Sequence, residues 1–174
     1  MQNDKQQRIH EAIKENEKKL TPKQQKQLQD ALQKLTQEKV PLKQVMGITP
    51  EIEETIYVAG YNLFQSGKYK EALKIFYSLV QLNNTYRYNF AIAAAHQYAK
   101  EYTDAIGSYL ICTQIEPENP VPFFHLYDCC MKSKNHLFAE VFLLNAIEMA
   151  SKNPEYAKLK ERAQLELEHL RQQT

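Results

Sequence analysis

Tryptophan is absent from these 174 residues, and glycine occurs only four times. With so little glycine and few β-branched runs, tight-turned sheets are excluded and an all-α chain is expected. No apolar run approaches the ~18–20 residues that cross a bilayer. The opening MQNDKQQRIHEAIKENEKKL has no apolar signal-peptide core, so the chain is expected to stay in the cytoplasm where it is made. Three cysteines make no even disulfide framework, and Cys129 and Cys130 are adjacent, which suits neither a structural disulfide nor a CxxC metal site. Buried reduced thiols are the expectation.

Catalytic motifs are missing as well. His10, His96, His125, His136 and His169 are scattered, with no HExxH pair, no Ser/His/Asp arrangement and no glycine-rich phosphate loop. No catalytic residue, metal or cofactor is expected, and the chain does not read as an enzyme. Formal charge is +1, unevenly spread: residues 1–50 hold ten Lys or Arg against six acids, and residues 51–151 hold seven against eleven. A mildly acidic central region argues against a nucleic-acid backbone as partner. The Lys/Gln-rich N-terminal segment reads as a solvated face.

What is present is a repeat. The stretch YVAGYNLFQSGKYKEALKIFYSL (residues 57–79) reads as two helices joined by a turn at Gln65-Ser66-Gly67-Lys68. Tyr57, Gly60, Tyr61 and Phe64 share one face of the first helix; Tyr69, Ala72, Leu73, Phe76 and Leu79 share one face of the second. Small Gly60 and Ala72 allow close approach of the two axes. Such a hairpin cannot bury its apolar face alone. It recurs: Tyr69 to Tyr102 and Ala72 to Ala105 are each 33 positions, and Tyr102 to His136 and Ala105 to Ala139 are each 34. A period near 34, a small residue in the first helix, a ring before a central Ala and Pro117 after the second helix of the second copy match the tetratricopeptide pattern. The third copy is degenerate, with Tyr127 where a small residue is expected and His136 and Leu143 in place of rings.

The expected fold is therefore all-α: three tetratricopeptide-type hairpins in a short solenoid, an N-terminal helical arm and a C-terminal capping helix. Two domains are expected, an arm over 1–40 and a repeat domain over 41–174, with repeats at about 53–85, 86–119 and 120–153 and an end helix at about 155–170. Within the arm, residues 1–20 could form a charged helix with Ile9, Ile13 and Leu20 as a thin stripe. Thr21-Pro22 is a helix-start signal for a second helix to about Thr36. Its Leu28, Leu32 and Leu35 make a sparse apolar stripe among Lys and Gln, which needs a partner surface in its own repeats or in a second copy. Val40-Pro41 interrupts the pattern, Leu42, Val45 and Met46 make one turn that Gly47 can end, and Thr49-Pro50-Glu51 starts the next helix. Asn153-Pro154 precedes the last helix.

In stacked hairpins the first helices line a concave side. Their residues not spent against the second helix are Tyr57, Tyr61 and Phe64 in copy one, Phe90, Ala94, Gln97 and Tyr98 in copy two, and Val121, Phe124, Asp128 and Met131 in copy three. Ile56, Ala59, Gly60 and Leu63 supply the packing face of copy one, which leaves the rings to line a groove. A tyrosine there offers an apolar body with a hydroxyl that tolerates water.

The run PLKQVMGITPEIEETIYVAGYNLFQSGKYKEALKIFYSLV, continuing through YNFAIAAAHQYAKEYTDAIGSY, resembles the class II chaperones of bacterial type III secretion over roughly residues 40–170. The resemblance is strongest in IYVAGYNLFQSGKYKEAL and weaker in residues 1–35 and the third repeat. It implies a cytoplasmic chaperone that holds hydrophobic translocator proteins through an extended, proline-containing segment in a concave groove. It further implies that Tyr57, Tyr61 and Phe64, with Phe90, Ala94 and Phe124, belong to that groove, to which the first-helix spacing adds Tyr98 and Asp128. A homodimer built on the N-terminal helices is implied too, which suits Leu28, Leu32 and Leu35. The alternative is a tetratricopeptide scaffold or adaptor for another peptide or secretion component. The Lys/Asn/Arg carboxylate cage of tail-binding co-chaperones has no counterpart, since Tyr57, Tyr61, Ala91, Val121 and His125 occupy those places.

Overall fold

The computed structural model describes residues 20–38 and 42–172. The helix expected over 1–20, with Ile9 and Ile13, and the Val40-Pro41 break lie outside the described residues, apart from Leu20 itself. Among the described residues every regular element is helical: α1 (Pro22–Thr36), α2 (Leu42–Val45), α3 (Pro50–Gln65), α4 (Tyr69–Leu82), α5 (Tyr86–Tyr98), α6 (Tyr102–Ile115), α7 (Pro120–Lys132), α8 (His136–Ser151), a 3-10 turn (Pro154–Tyr156) and α9 (Ala157–Gln172). Two compact units result, residues 1–49 and 50–174.

In the first unit, Thr21 caps α1 with a full capping box. Its hydroxyl accepts from the Gln24 amide, and Gln24 Oε1 accepts from the Thr21 amide at 2.9 Å. Leu28, Leu32 and Leu35 are half-buried along one side of this helix.

The second unit is three antiparallel hairpins, α3–α4, α5–α6 and α7–α8, closed by α9, with each helix packed on its sequence neighbours. The repeat register is visible in burial. Ala72, Ala105 and Ala139 are all 0% exposed, and Phe76, Tyr109 and Leu143, one turn further on, are at most 1% exposed. A Cβ on Gly60 would lie 2.8 Å from Cε1 of the buried Phe76 ring, so α3 can approach α4 only without a side chain there. Ala59, expected on this packing face, is exposed instead, one position from the Gly60 that faces Phe76. In the third repeat, Tyr127 at the position of Gly60 is nonetheless buried, because its hydroxyl reaches α9 and donates to Glu166 at 2.9 Å. The end helix accommodates what the hairpin cannot.

All three hairpins turn in the same way. Gly67, Lys100 and Lys134 have φ of +74°, +63° and +61°. At each, the next residue's amide donates five residues back: Lys68 to Leu63, Glu101 to His96 and Asn135 to Cys130, at 2.8–2.9 Å. These are Schellman caps, which satisfy carbonyls otherwise orphaned at a helix end. Only the first carries the glycine that this left-handed conformation favours. Lys100→Gly and Lys134→Gly should therefore each stabilise the protein by about 0.5–1 kcal/mol, the relief of left-handed strain exceeding glycine's added entropy cost. A thermal melt reads the result; a lower melting temperature in both variants would contradict it.

Candidate functional site

Because α3, α5, α7 and α9 lie on one side of the stack, their free faces converge on an open cleft. Aromatic side chains run along it. Tyr61 stacks on Phe64 at 6.2 Å, Phe64 meets the edge of Tyr98 at 5.2 Å, and Phe90 meets the edge of His125 at 5.4 Å. The last two contacts each join one repeat to the next, and the rings fall into two clusters, one running from Tyr61 through Phe64 to Tyr98 and one around Phe90, Tyr109 and His125. Tyr61 is 44% and Tyr98 62% exposed, large apolar bodies left facing solvent. The C-terminal half of the cleft is a cavity of about 680 Å³, walled by Gln97 and Tyr98 of α5, Phe124, His125 and Asp128 of α7, and Leu159 and Arg162 of α9, among others.

The residues expected in the groove divide into two kinds. Tyr61 and Tyr98 are presented to solvent. Tyr57 and Phe64 are half-buried and packed against the first-repeat core, Tyr57 lying 5.7 Å from Phe76. Phe90 is wedged between Tyr86 and Tyr109, at 5.5 and 5.4 Å. Ala94 is half-buried on α5, and Phe124 lines the cavity beneath Arg162. Met131 packs on the third-repeat core.

Asp128 organises a polar network in the cleft floor. Its carboxylate accepts from Lys132 Nζ at 2.7 Å and from Gln97 Nε2 at 2.6 Å. A carboxylate only accepts, so the Gln97 amide is oriented and its oxygen points the other way. That oxygen accepts from the Tyr109 hydroxyl at 2.7 Å and from His125 Nδ1 at 3.1 Å. His125 is thus held in the tautomer whose Nε2 is an acceptor. Burial pushes its pKa below the ordinary histidine value, with Asp128 opposing, so the ring is neutral near pH 7. An extended segment in the cleft would find there an acceptor for a backbone N–H.

Arginines stack on rings at both ends. The Arg87 guanidinium lies 3.6 Å from the centre of the Tyr57 ring and donates twice to Glu54, at 2.5 and 2.8 Å. Arg162 lies 4.9 Å from the centre of the Phe124 ring. Neither arginine was anticipated from sequence, nor were Lys158 and the role of His125. Their contacts bridge helices about one repeat apart, and no local spacing encodes them.

Other polar clusters are structural. His96, Glu101 and Asp104 bring possible ligand atoms within 4.8 Å of one another, but both nitrogens of His96 are engaged. Nδ1 bonds Glu101 at 2.7 Å and Nε2 meets the Tyr77 hydroxyl at 2.9 Å, tying α5 to α4 and to the start of α6. The three cysteines are buried and unbridged, and burial pushes the Cys112 and Cys129 thiols up to about 12, far from the reactive range.

No protein-family model matches the chain. It is similar to the low calcium response locus protein H of Yersinia pseudotuberculosis serotype I (strain IP32953), 30% identical over 125 residues that make up 71% of this chain and 74% of that protein. Its fold matches PcrH of Pseudomonas aeruginosa in complex with the chaperone-binding region of PopD, with a TM-score of 0.68 and 28% identity over 73% of this chain and 96% of that one. It equally matches SycD, the type III secretion translocator chaperone of Yersinia enterocolitica, with a TM-score of 0.68 and 28% identity over 75% of this chain and 98% of that one. SycD is also known in complex with a peptide of the translocator YopD and as an alternative dimer. The repeat architecture, the ring-lined cleft and these relatives agree: the chain belongs to the class II chaperones of type III secretion, the tetratricopeptide proteins that serve translocators.

Proposed function

We propose that this protein keeps a hydrophobic translocator soluble in the bacterial cytoplasm by holding an extended, proline-containing segment of it along the cleft of α3, α5, α7 and α9. The observation that carries this reading is the ring-lined cleft, in which Tyr61 and Tyr98 stay exposed although neighbouring apolar residues are buried, and Tyr98 shares one cavity with Phe124 and His125. PcrH and SycD, which share the fold, take translocator segments. A proline-containing segment is already extended and loses less entropy on docking. Each apolar side chain fully buried between the rings would contribute about 1.5–3 kcal/mol. His125 Nε2 would accept a backbone N–H that the extended segment leaves unpaired. Tyr57, Phe64, Phe90, Ala94, Phe124 and Asp128 would shape the walls and floor, with Tyr61 and Tyr98 making the outer contacts.

The test is an aggregation assay. Light scattering from a translocator diluted out of denaturant should stay low when an equimolar amount of this protein is present and rise without it. Equal scattering in both samples would refute the reading.

The same reading includes a homodimer through α1, because Leu28, Leu32 and Leu35 are an apolar stripe on a helix otherwise covered by Lys and Gln. Removing residues 1–35 should then convert a dimer into a folded monomer, as measured by light scattering coupled to chromatography. A truncated chain that keeps the dimer mass would move the interface out of α1.

A further inference from the structure

The two ends of the cleft carry the same device, complete at one end and lacking a part at the other. At the first repeat, Tyr57 supports the guanidinium of Arg87, and Glu54 supplies the carboxylate that the guanidinium grips with two hydrogen bonds. At the last, Phe124 supports the guanidinium of Arg162 in the same way, yet among the described residues no carboxylate lies within ion-pair distance of it. The acids sharing its cavity have other engagements. Asp128 holds Lys132 at 2.7 Å, and Glu166 accepts from the Tyr127 hydroxyl at 2.9 Å. Lys158 lines the same cavity from α9, one turn before Arg162, and makes no ion pair among the described residues. The cavity walls therefore hold three cations, Lys132, Lys158 and Arg162, against two carboxylates, Asp128 and Glu166, with the excess positive charge at its α9 edge.

A guanidinium on an aromatic face keeps N–H donors at its rim, in a planar fork that fits a carboxylate. The ring also shields one side from water, which strengthens a hydrogen bond formed on the other. Resting on the groove reading above, we infer that the α7–α9 end of the cleft selects client segments carrying an aspartate or glutamate beside their apolar anchors. The client's carboxylate takes, on Arg162 and Lys158, the place that Glu54 takes on Arg87. The apolar anchor enters between Tyr98, Phe124 and Leu159. The rings then supply affinity for apolar segments generally, and the cation pair supplies a choice among them. Translocators are rich in apolar stretches, so burial alone discriminates poorly between the intended segment and the rest of the same chain.

The experiment uses the full-length protein and an array of synthetic peptides of about a dozen residues. The peptides are built from Pro, Leu, Ile, Val and Ala, with one position at a time set to Asp, Asn, Lys or Leu. Wild-type protein should bind the Asp peptide about five-fold or more better than its Asn counterpart at one position, as expected for a charge-assisted contact. The preference should shrink when salt is raised from about 0.1 to about 0.5 M. K158Q with R162Q should abolish it while keeping the dependence on Pro and Leu, which also shows that the variant is folded. K158E with R162E should favour Lys over Asp. Equal binding of Asp and Asn peptides by the wild type, or an Asp preference surviving in the glutamine variant, overturns the inference and leaves the groove reading standing. Failure of every apolar peptide to bind the wild type overturns the groove reading, and the inference with it.

Discussion

Replacing Tyr61 and Tyr98 together by alanine should weaken client binding by at least ~2 kcal/mol, the cost of truncating aromatic anchors at a recognition surface. Stability should fall by only about 1 kcal/mol, the worth of the ring–ring contacts that go with them. Both rings face solvent, and their main neighbours are other groove rings, Phe64 lying 6.2 Å from Tyr61 and 5.2 Å from Tyr98. This pair separates binding from folding better than Phe64, whose other face packs on the buried α4 residues and whose removal would damage both. Titration of a fluorescent translocator segment, with a thermal melt alongside, decides the matter. Unchanged affinity in the folded double variant would place the client elsewhere.

The largest loss of stability is expected at Tyr109. Tyr109→Ala should cost about 3–5 kcal/mol, as removal of a buried ring does when the surroundings cannot collapse. That is a large part of the 5–15 kcal/mol roughly available to a domain. Tyr109 is 0% exposed at the centre of the second repeat. Its ring lies flat against His125 at 5.0 Å and edge-on to Phe90 at 5.4 Å, and its hydroxyl donates to Gln97. Tyr109→Phe keeps the ring and loses only the hydrogen bond, so about 0.5–1.5 kcal/mol should go. Urea midpoints of the two variants are the measurement. Equal losses would mean that the hydroxyl, not the ring, holds this site together.

Tyr109 also shows why part of the site could be read early and part could not. Its place in the repeat follows from spacing, because Phe76 and Tyr109 are 33 positions apart and Tyr109 and Leu143 are 34. Helical periodicity then dictates that all three point inward. The hydroxyl's partner follows from no spacing. Gln97, His125 and Asp128 meet because α5 and α7 stack side by side, and Gln97 is 31 residues from Asp128 and 28 from His125. Tyr127 is a milder case. Its mismatch with the repeat pattern was evident, but its solution, a hydroxyl reaching Glu166 across 39 residues, was not.

By itself the sequence determined the helical class, the three-hairpin register, the turn at Gly67 and the set of rings available to line a groove. Those depend on local chemistry: apolar spacing near the helical period, small residues where axes approach, and a repeat that must stack to bury its face. The tertiary structure alone decided which rings remain exposed, that Ala59 is exposed, that His125 is neutral with its Nε2 free to accept, and that Arg87 is ion-paired while Arg162, among the described residues, is not. Those depend on the directions of side chains brought together from different repeats, set by how closely each hairpin packs on the next.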